Sequence, residues 1–312
     1  METRAVGSLQ ASLVGLGCNN FGMMIDAEKT TAVVNAALEC GVNYFDTADI
    51  YGSGKSEEFL GQALGSRRSQ VVIGTKFGMK MGVPEGMAPG GAEWVREATN
   101  RALTRLGTDY IDHLSLHSPD PTTPIEETLG AMQEMVEAGK ALVIGCSNFS
   151  ATQLEKAEAA SKKAGIARFA TVQNHYSLLH RDPETDGVLE ACARNNIAMV
   201  PFFPLESGLL SGKYTAGEPI PADTRLGKWG SRAAAFINDD RLAAVAKLST
   251  FAAERGHTIL ELAMSWLAGN PQVATVISGA TKPEQVRANT AAAEAWKMSA
   301  ADRQTIDAIL KG

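Results

Sequence analysis

Along the 312-residue chain, short apolar runs of β-forming residues alternate with longer segments in which apolar positions recur every three to four residues. The runs at 13–16, 42–46, 71–76, 110–117, 141–146, 169–173, 197–202 and 274–277 are expected strands. Helical periodicity marks segments near 27–40, 56–65, 91–106, 124–138, 151–164, 183–195 and 239–268. Strands alternating with helices imply βαβ units and a parallel sheet. Eight strands in strict alternation over this length favour closure of an α/β fold into one (β/α)8 TIM barrel, a single domain spanning 1–312.

Capping chemistry supports the helix starts. Thr123-Pro124-Ile125-Glu126 orders a hydroxyl at N-cap, proline at N1 and a carboxylate at N3; Thr258 with Glu261 and Ser299 with Asp302 repeat the spacing. Gly107 and Gly165 each follow a helical stretch, where a left-handed residue ends it. The two long irregular stretches, 77–91 and 205–239, both follow strands. In a barrel they lie over the C-terminal face, where sites are built.

A doubly wound nucleotide fold is the main rival, and it needs G-x-G-x-x-G at its first turn. Here the first strand runs into Gly15-Leu16-Gly17-Cys18-Asn19-Asn20, with asparagine where the third glycine should be. Gly52-Ser53-Gly54-Lys55-Ser56 resembles the end of a P-loop, but Asp49 stands where its first glycine belongs. That segment reads as a turn into the next helix.

A formal net charge of -6 argues against nucleic acid as a partner, and nothing in the charge pattern suggests a membrane surface. Cys18, Cys40, Cys146 and Cys192 form no C-x-x-C pair, so they read as small hydrophobes in a reducing compartment. Residues 1–12 carry no apolar core of signal-peptide length. The expected location is cytoplasmic.

Three successive apolar strands end in an ionisable residue: Asp46, Lys76 and His117, with Tyr51 one short step beyond Asp46. Singly, each is an ordinary polar strand end. At the ends of consecutive parallel strands they converge on one edge of the barrel mouth, which packing does not explain. A phenol titrates near ~10, and a nearby ammonium lowers that value. Asp46 would keep Lys76 charged, and His117 would orient or polarise a carbonyl oxygen, giving general acid catalysis with electrostatic help. No metal case competes, because His113 and His117 are roughly 13 Å apart along a strand. Gly-x-Ser-x-Gly is absent as well. A tyrosine acid without nucleophile or metal needs an external hydride source, which points to a nicotinamide.

At these residues the sequence resembles the aldo-keto reductase superfamily, over nearly the whole chain. The stretch Asn43-Tyr44-Phe45-Asp46-Thr47-Ala48-Asp49-Ile50-Tyr51-Gly52, followed by Ser56-Glu57, is similar to the family signature. Thr75-Lys76 and Leu116-His117-Ser118-Pro119-Asp120 resemble the segments that carry its lysine and histidine. The resemblance implies a catalytic tetrad of Tyr51, Asp46, Lys76 and His117. It implies cofactor contacts from Gly17, Cys18 and Asp46, and from Ser147, Asn148 and Gln173 around the carboxamide. Phe202 holds the position that stacks on nicotinamide, with Phe203 where serine or alanine is commoner. Leu205, Ser207, Leu210 and Lys213 belong to the segment similar to the pyrophosphate loop. Gly279, Thr281, Lys282, Gln285 and Asn289 resemble the adenosine end, although Ala288 replaces a common glutamate and Thr281 a common arginine. NADP(H) is the preferred cofactor on this reading, with NAD(H) as the alternative.

The implied substrate is a small carbonyl compound or alcohol. Phe21, Met23, Met79, Met81, Met87, Trp94 and Trp229 would line an adaptable apolar pocket or pack beneath its loops. Few cations accompany them beyond Lys80, Arg225, Lys228 and Arg232, so a phosphorylated substrate is not suggested. Two other readings stay open: a nucleotide-sensing accessory subunit resembling the β subunits of potassium channels, and a barrel hydrolase or lyase using Lys76 as a Schiff-base amine.

Overall fold

A computed structural model describes every residue except 215–217, 223, 230–232, 234–235 and 312. Of the residues singled out above, Arg232 lies outside the described residues, as do the side chains of Arg225 and Trp229. The chain opens with an antiparallel hairpin, β1 (Thr3–Val6) and β2 (Leu9–Ser12). Eight parallel strands follow: β3 (Val14–Gly17), β4 (Tyr44–Asp46), β5 (Val72–Phe77), β6 (Ile111–Leu116), β7 (Ala141–Ser147), β8 (Thr171–Gln173), β9 (Ala198–Met199) and β10 (Val276–Gly279). Their order in the sheet, β10-β3-β4-β5-β6-β7-β8-β9, is the order of a barrel cut between its last two strands. Closure is made just before β10. Met199 N–H donates to the Gln272 carbonyl at 2.8 Å, and Ala274 N–H donates back to Met199 at 2.9 Å.

The helices are α1 (Ala27–Glu39), α2 (Lys55–Leu64), α3 (Ala92–Leu106), α4 (Ile125–Glu137), α5 (Ala151–Ala164), α6 (Asp182–Thr185), α7 (Val188–Asn195), α8 (Arg225–Trp229), α9 (Asp239–Ala253), α10 (Ile259–Ala268), α11 (Pro283–Glu294) and α12 (Ala300–Lys311). Each barrel strand sends alternate side chains outward to this layer, as Leu114 and Leu116 do, both buried. The helix expected over 239–268 is two helices. Gly256, at φ 77°, ends the first, and the Thr258–Glu261 capping box starts the second. The helix near 183–195 is likewise broken at Gly187. Thr123 does not cap α4; its hydroxyl donates to Asp120 at 2.6 Å, and Pro124 stands at the cap.

The sequence reading missed the hairpin. Its two-residue Gly7-Ser8 turn pairs Val6 with Leu9 and closes the bottom of the barrel. Val6 and Ala11 pack there against Tyr44, Val72, Val200, Ala274 and Ile277. The Arg4 guanidinium ties it down by donating to the carbonyls of Ala268, Asn270 and Val273. With the hairpin across the other end, the cleft of the described residues lies at the C-terminal ends of the strands.

Candidate active site

Register brings the chemistry together. Asp46 pairs with Gly17 on one side and Gly74 on the other, and Lys76 lies two residues beyond Gly74 on the same face. His117 follows β6 directly, its N–H bonded to the Phe77 carbonyl at 2.7 Å. Tyr51 begins the short turn Tyr51–Gly54. The Ser56-Glu57 pair behind that turn explains its place beside the signature. The Ser56 hydroxyl donates to the Cys18 carbonyl at 2.8 Å and is bonded to Thr47 Oγ1 at 2.8 Å. Glu57, fully buried, accepts from Thr75 Oγ1 and Arg105 Nε, both at 2.5 Å. The Tyr51 turn is thus pinned to both β3 and β5.

Lys76 Nζ donates to Asp46 Oδ2 at 2.7 Å and to the Thr47 carbonyl at 2.8 Å, both residues buried. It also lies 5.2 Å from the Tyr51 ring centroid. Burial disfavours the lysine's charge, but Asp46 first and then Tyr51 hold its pKa above the ordinary value. Asp46 is raised by burial, against Lys76 and a hydrogen bond from Gln173. For Tyr51 the sequence expectation needs correcting. Burial raises the phenol above its ordinary value, and the Lys76 ammonium only opposes that rise. His117 meets Tyr51 edge-on, ring centroids 5.9 Å apart. Burial, then Lys76, pushes its imidazole down to about 3, and its buried Nδ1 has no hydrogen-bond partner.

In front of these groups runs a cleft of about 990 Å³, extending to the start of α11. Gly17, Asp46, Tyr51, His117, Ser147, Asn148, Gln173, Phe202, Leu205, Ser207, Lys213, Gly279, Thr281, Lys282, Gln285 and Asn289 all line it. Cys18 and Leu210 do not present side chains to it, because both are fully buried in the core between sheet and helices. Lys76 is not among the cleft-lining residues; it bonds Asp46 and lies beside the Tyr51 ring. Of the residues expected around the substrate, Met79 lines the cleft, while Phe21 and Trp94 belong to the core. Met87 packs against that core; Met23 and Met81 are exposed and do not line the cleft.

The amide cluster is prebuilt. Asn148 takes a left-handed φ of 62°, which asparagine tolerates, and its Nδ2 donates to the His117 carbonyl at 3.0 Å. Ser147 Oγ donates to the Gln173 carbonyl at 2.8 Å. At the far end, Gln285 Oε1 accepts from Thr281 N–H at 2.7 Å and Lys282 N–H at 3.2 Å, so its oxygen is spent on the start of α11. Sequence reading overlooked Asn20, whose Nδ2 donates to the Ala280 carbonyl at 3.2 Å, together with Lys29 and Thr224 on the cleft wall. Asn20 is the residue that broke the glycine motif, and its polar side chain at a strand-end turn was the available signal.

Comparisons with known proteins agree with this geometry. The model of the aldo/keto reductase family matches residues 13–311. A probable voltage-gated potassium channel subunit beta of Arabidopsis thaliana is 36% identical over 281 residues, 88% of this chain and 84% of that protein. L-glyceraldehyde 3-phosphate reductase of Escherichia coli (strain K12) is 30% identical over 320 residues, 98% of this chain and 92% of that one. The solved glycerol dehydrogenase of Gluconobacter oxydans superposes with a TM-score of 0.82 at 27% identity, covering 99% of this chain and 94% of its own.

Proposed function

Because the chain belongs to the aldo/keto reductase family of oxidoreductases, we propose that it interconverts a small carbonyl compound and its alcohol with a nicotinamide cofactor, Tyr51 donating the proton in the reductive direction. The carrying observation is that the Tyr51 ring lies against both Lys76, which is paired with Asp46, and the His117 ring, which meets it edge-on.

The cleft suits a dinucleotide. Ser207 keeps a buried hydroxyl without a partner, Ser147, Asn148 and Gln173 cluster near the tetrad, and the α11 N-terminus suits a phosphate. The bound nicotinamide supplies the hydride. This chain's residues manage the proton. Two groups compete as its source, and magnitude decides between them. An imidazole held near 3 carries no extra proton at neutral pH, whereas a phenol raised by burial above its ordinary value keeps its own. Tyr51 is therefore the acid, and neutral His117 is the hydrogen-bonding partner that orients the carbonyl oxygen. Lys76, charged through Asp46, stabilises the phenolate left behind.

NADP(H) is preferred over NAD(H). Lys29, Lys213, Lys228 and Lys282 line the cleft and can meet a 2′-phosphate, where Gln285 has already committed its oxygen. They stand on α1, the loop after β9, α8 and the start of α11, not on the ends of β4, β5 or β6. The cleft wall also carries Met24, Ile50, Met79 and Phe203. An uncharged, largely apolar aldehyde or ketone fits that wall better than a phosphorylated one. The free cysteines suit a reducing compartment, the cytoplasm, and no helix among the described residues is long and apolar enough to cross a membrane.

The test is NADPH oxidation over a panel of uncharged carbonyl compounds, repeated with NADH and with Tyr51→Phe. The variant should lose about 10²–10⁴-fold in turnover while holding NADPH as tightly as the parent. Absence of nucleotide binding, or a variant as active as the parent, would sink the reading; borohydride trapping of substrate on Lys76 would replace it with Schiff-base chemistry. The relatives named as channel β subunits favour a second reading, a nucleotide-sensing subunit. Tight NADPH binding with no turnover on any carbonyl would favour it.

A further inference from the structure

Among its described residues, the loop after β9 holds three non-glycine residues in the left-handed region: Phe203 at φ 54°, Glu206 at 48° and Ser207 at 57°. Each costs about 1 kcal/mol or more, so the surroundings must enforce the shape. The enforcing group is the Glu206 carboxylate, itself buried. Its Oε1 accepts from His175 Nε2 at 2.6 Å and Ser177 Oγ at 2.5 Å, and its Oε2 accepts from Arg241. The donors come from two separate places, the chain leaving β8 and the first turn of α9. Burial opposes the charge, yet these donors hold the carboxyl below the ordinary range.

Two consequences reach the cleft. Ser207, the next residue, lines it with the unpartnered buried hydroxyl. The His175 ring lies between His180, 3.7 Å away and parallel, and Phe202, 5.6 Å away and tilted by 18°. Phe202 is itself cleft wall.

We propose that Glu206 is a positioning residue for the dinucleotide: by tying the loop to the β8 exit and to α9, its carboxylate sets the Ser207 hydroxyl and the Phe202 ring where the cofactor meets them. The proposal rests on the reading that the cleft takes a nicotinamide dinucleotide. A buried carboxylate ringed by donors is a poor source of net stability compared with an apolar side chain of similar size. It does fix geometry, since each donor is left unsatisfied when the loop shifts.

Glu206→Gly separates the carboxylate from the backbone, because glycine takes a φ near 48° without strain. NADPH affinity by fluorescence quenching, KM and kcat, and melting temperature are measured together. Glu206→Gly should raise the NADPH Kd and KM about tenfold or more, with a far smaller change in kcat at saturating cofactor. His175→Phe, which keeps a ring in the stack but loses one donor, should move Kd in the same direction by less. Arg241→Gln carries the same expectation should Glu206→Gly not fold. A lower melting temperature with parental Kd and KM would overturn the proposal, leaving Glu206 a brace of the fold. So would a fall in kcat with KM unmoved. Failure of the parent protein to bind NADPH or NADH would instead remove the reading beneath it.

Discussion

His113 on β6 and His117 just past its end, four residues on, share one face, are both buried, and are both pushed to about 3 by burial and then by Lys76. Their surroundings differ. His113 sits inside the barrel with Nδ1 bonded to Tyr44 Oη at 2.7 Å and Nε2 to Thr171 Oγ1 at 2.8 Å and Ser115 Oγ at 3.2 Å. The strand beside it makes room: a Cβ on Gly145 would stand 2.4 Å from His113 Nε2 and 2.2 Å from Thr171 Oγ1. His117, at the mouth, has an Nδ1 that nothing satisfies. Burial and a shifted pKa therefore do not separate the histidine inside the barrel from the one at its mouth. Unfilled hydrogen-bonding capacity does separate them, since natural interiors seldom leave it.

The widest break between the two is expected in activity. His117→Gln should cost about 10²–10³-fold in carbonyl reduction, the usual effect of losing one donor to a developing oxyanion. Its melting temperature should stay close to that of the parent, because no protein group loses a partner at Nδ1. His113→Ala should do the reverse. It strands the hydroxyls of Tyr44 and Thr171 and opens a void, costing about 3 kcal/mol or more. That corresponds to a fall of about 5 °C in melting temperature for a chain of 312 residues, with turnover per folded molecule little changed. An activity loss in His113→Ala without a melting shift would erase the distinction.

Acid unfolding brings the two back together. An unfolded histidine binds its proton near pH 6.5, while both native imidazoles refuse it until about 3. Between those values the unfolded state holds more protons, so stability is complete above about 6.5 and is lost as pH falls toward 3. Each group should contribute about 1.4 kcal/mol per pH unit inside the window. His113→Ala and His117→Gln should each flatten the slope of unfolding free energy against pH, from urea titrations between pH 6 and 4, by up to that amount. A slope unchanged in His117→Gln alone would mean that water at the mouth already relieves its burial.

Much of this was legible in the chain. The alternation of periods marks the barrel, and period two along 111–116, carried one step further, is enough to put His113, Ser115 and His117 on one face. Asp46, Lys76 and His117 could be recognised because consecutive parallel strands share one mouth. The hairpin was readable too, since Gly7-Ser8 between short β-runs is a turn signal, as was the Thr258–Glu261 box inside what passed for one long helix. Other features depend on closure. Nothing local says that Tyr44, Ser115 and Thr171 meet around one imidazole, or that His175, Ser177 and Arg241 meet at Glu206. The direction of the Tyr51 shift was missed for the same reason. It depends on how deeply the finished barrel buries the phenol, and burial outweighs the ammonium that the sequence made visible.

The smallest expected effect tests the interior network from within. A neutral imidazole offers one N–H and one acceptor, and hydroxyls rotate to suit either. Nδ1 of His113 depends on the Tyr44 hydroxyl, but Nε2 has two neighbours, Thr171 at 2.8 Å and Ser115 at 3.2 Å. Thr171→Val removes the nearer one and keeps the shape, so Ser115 can take over with a small movement. The cost should be about 1 kcal/mol, the net worth of one exchanged hydrogen bond. Tyr44→Phe has no such substitute at Nδ1 and should cost about 1–3 kcal/mol, as a stranded buried group does. Urea midpoints of the two variants measure the difference. Equal losses would show that Ser115 is not a reserve partner, and that His113 is held by three bonds rather than by two and a spare.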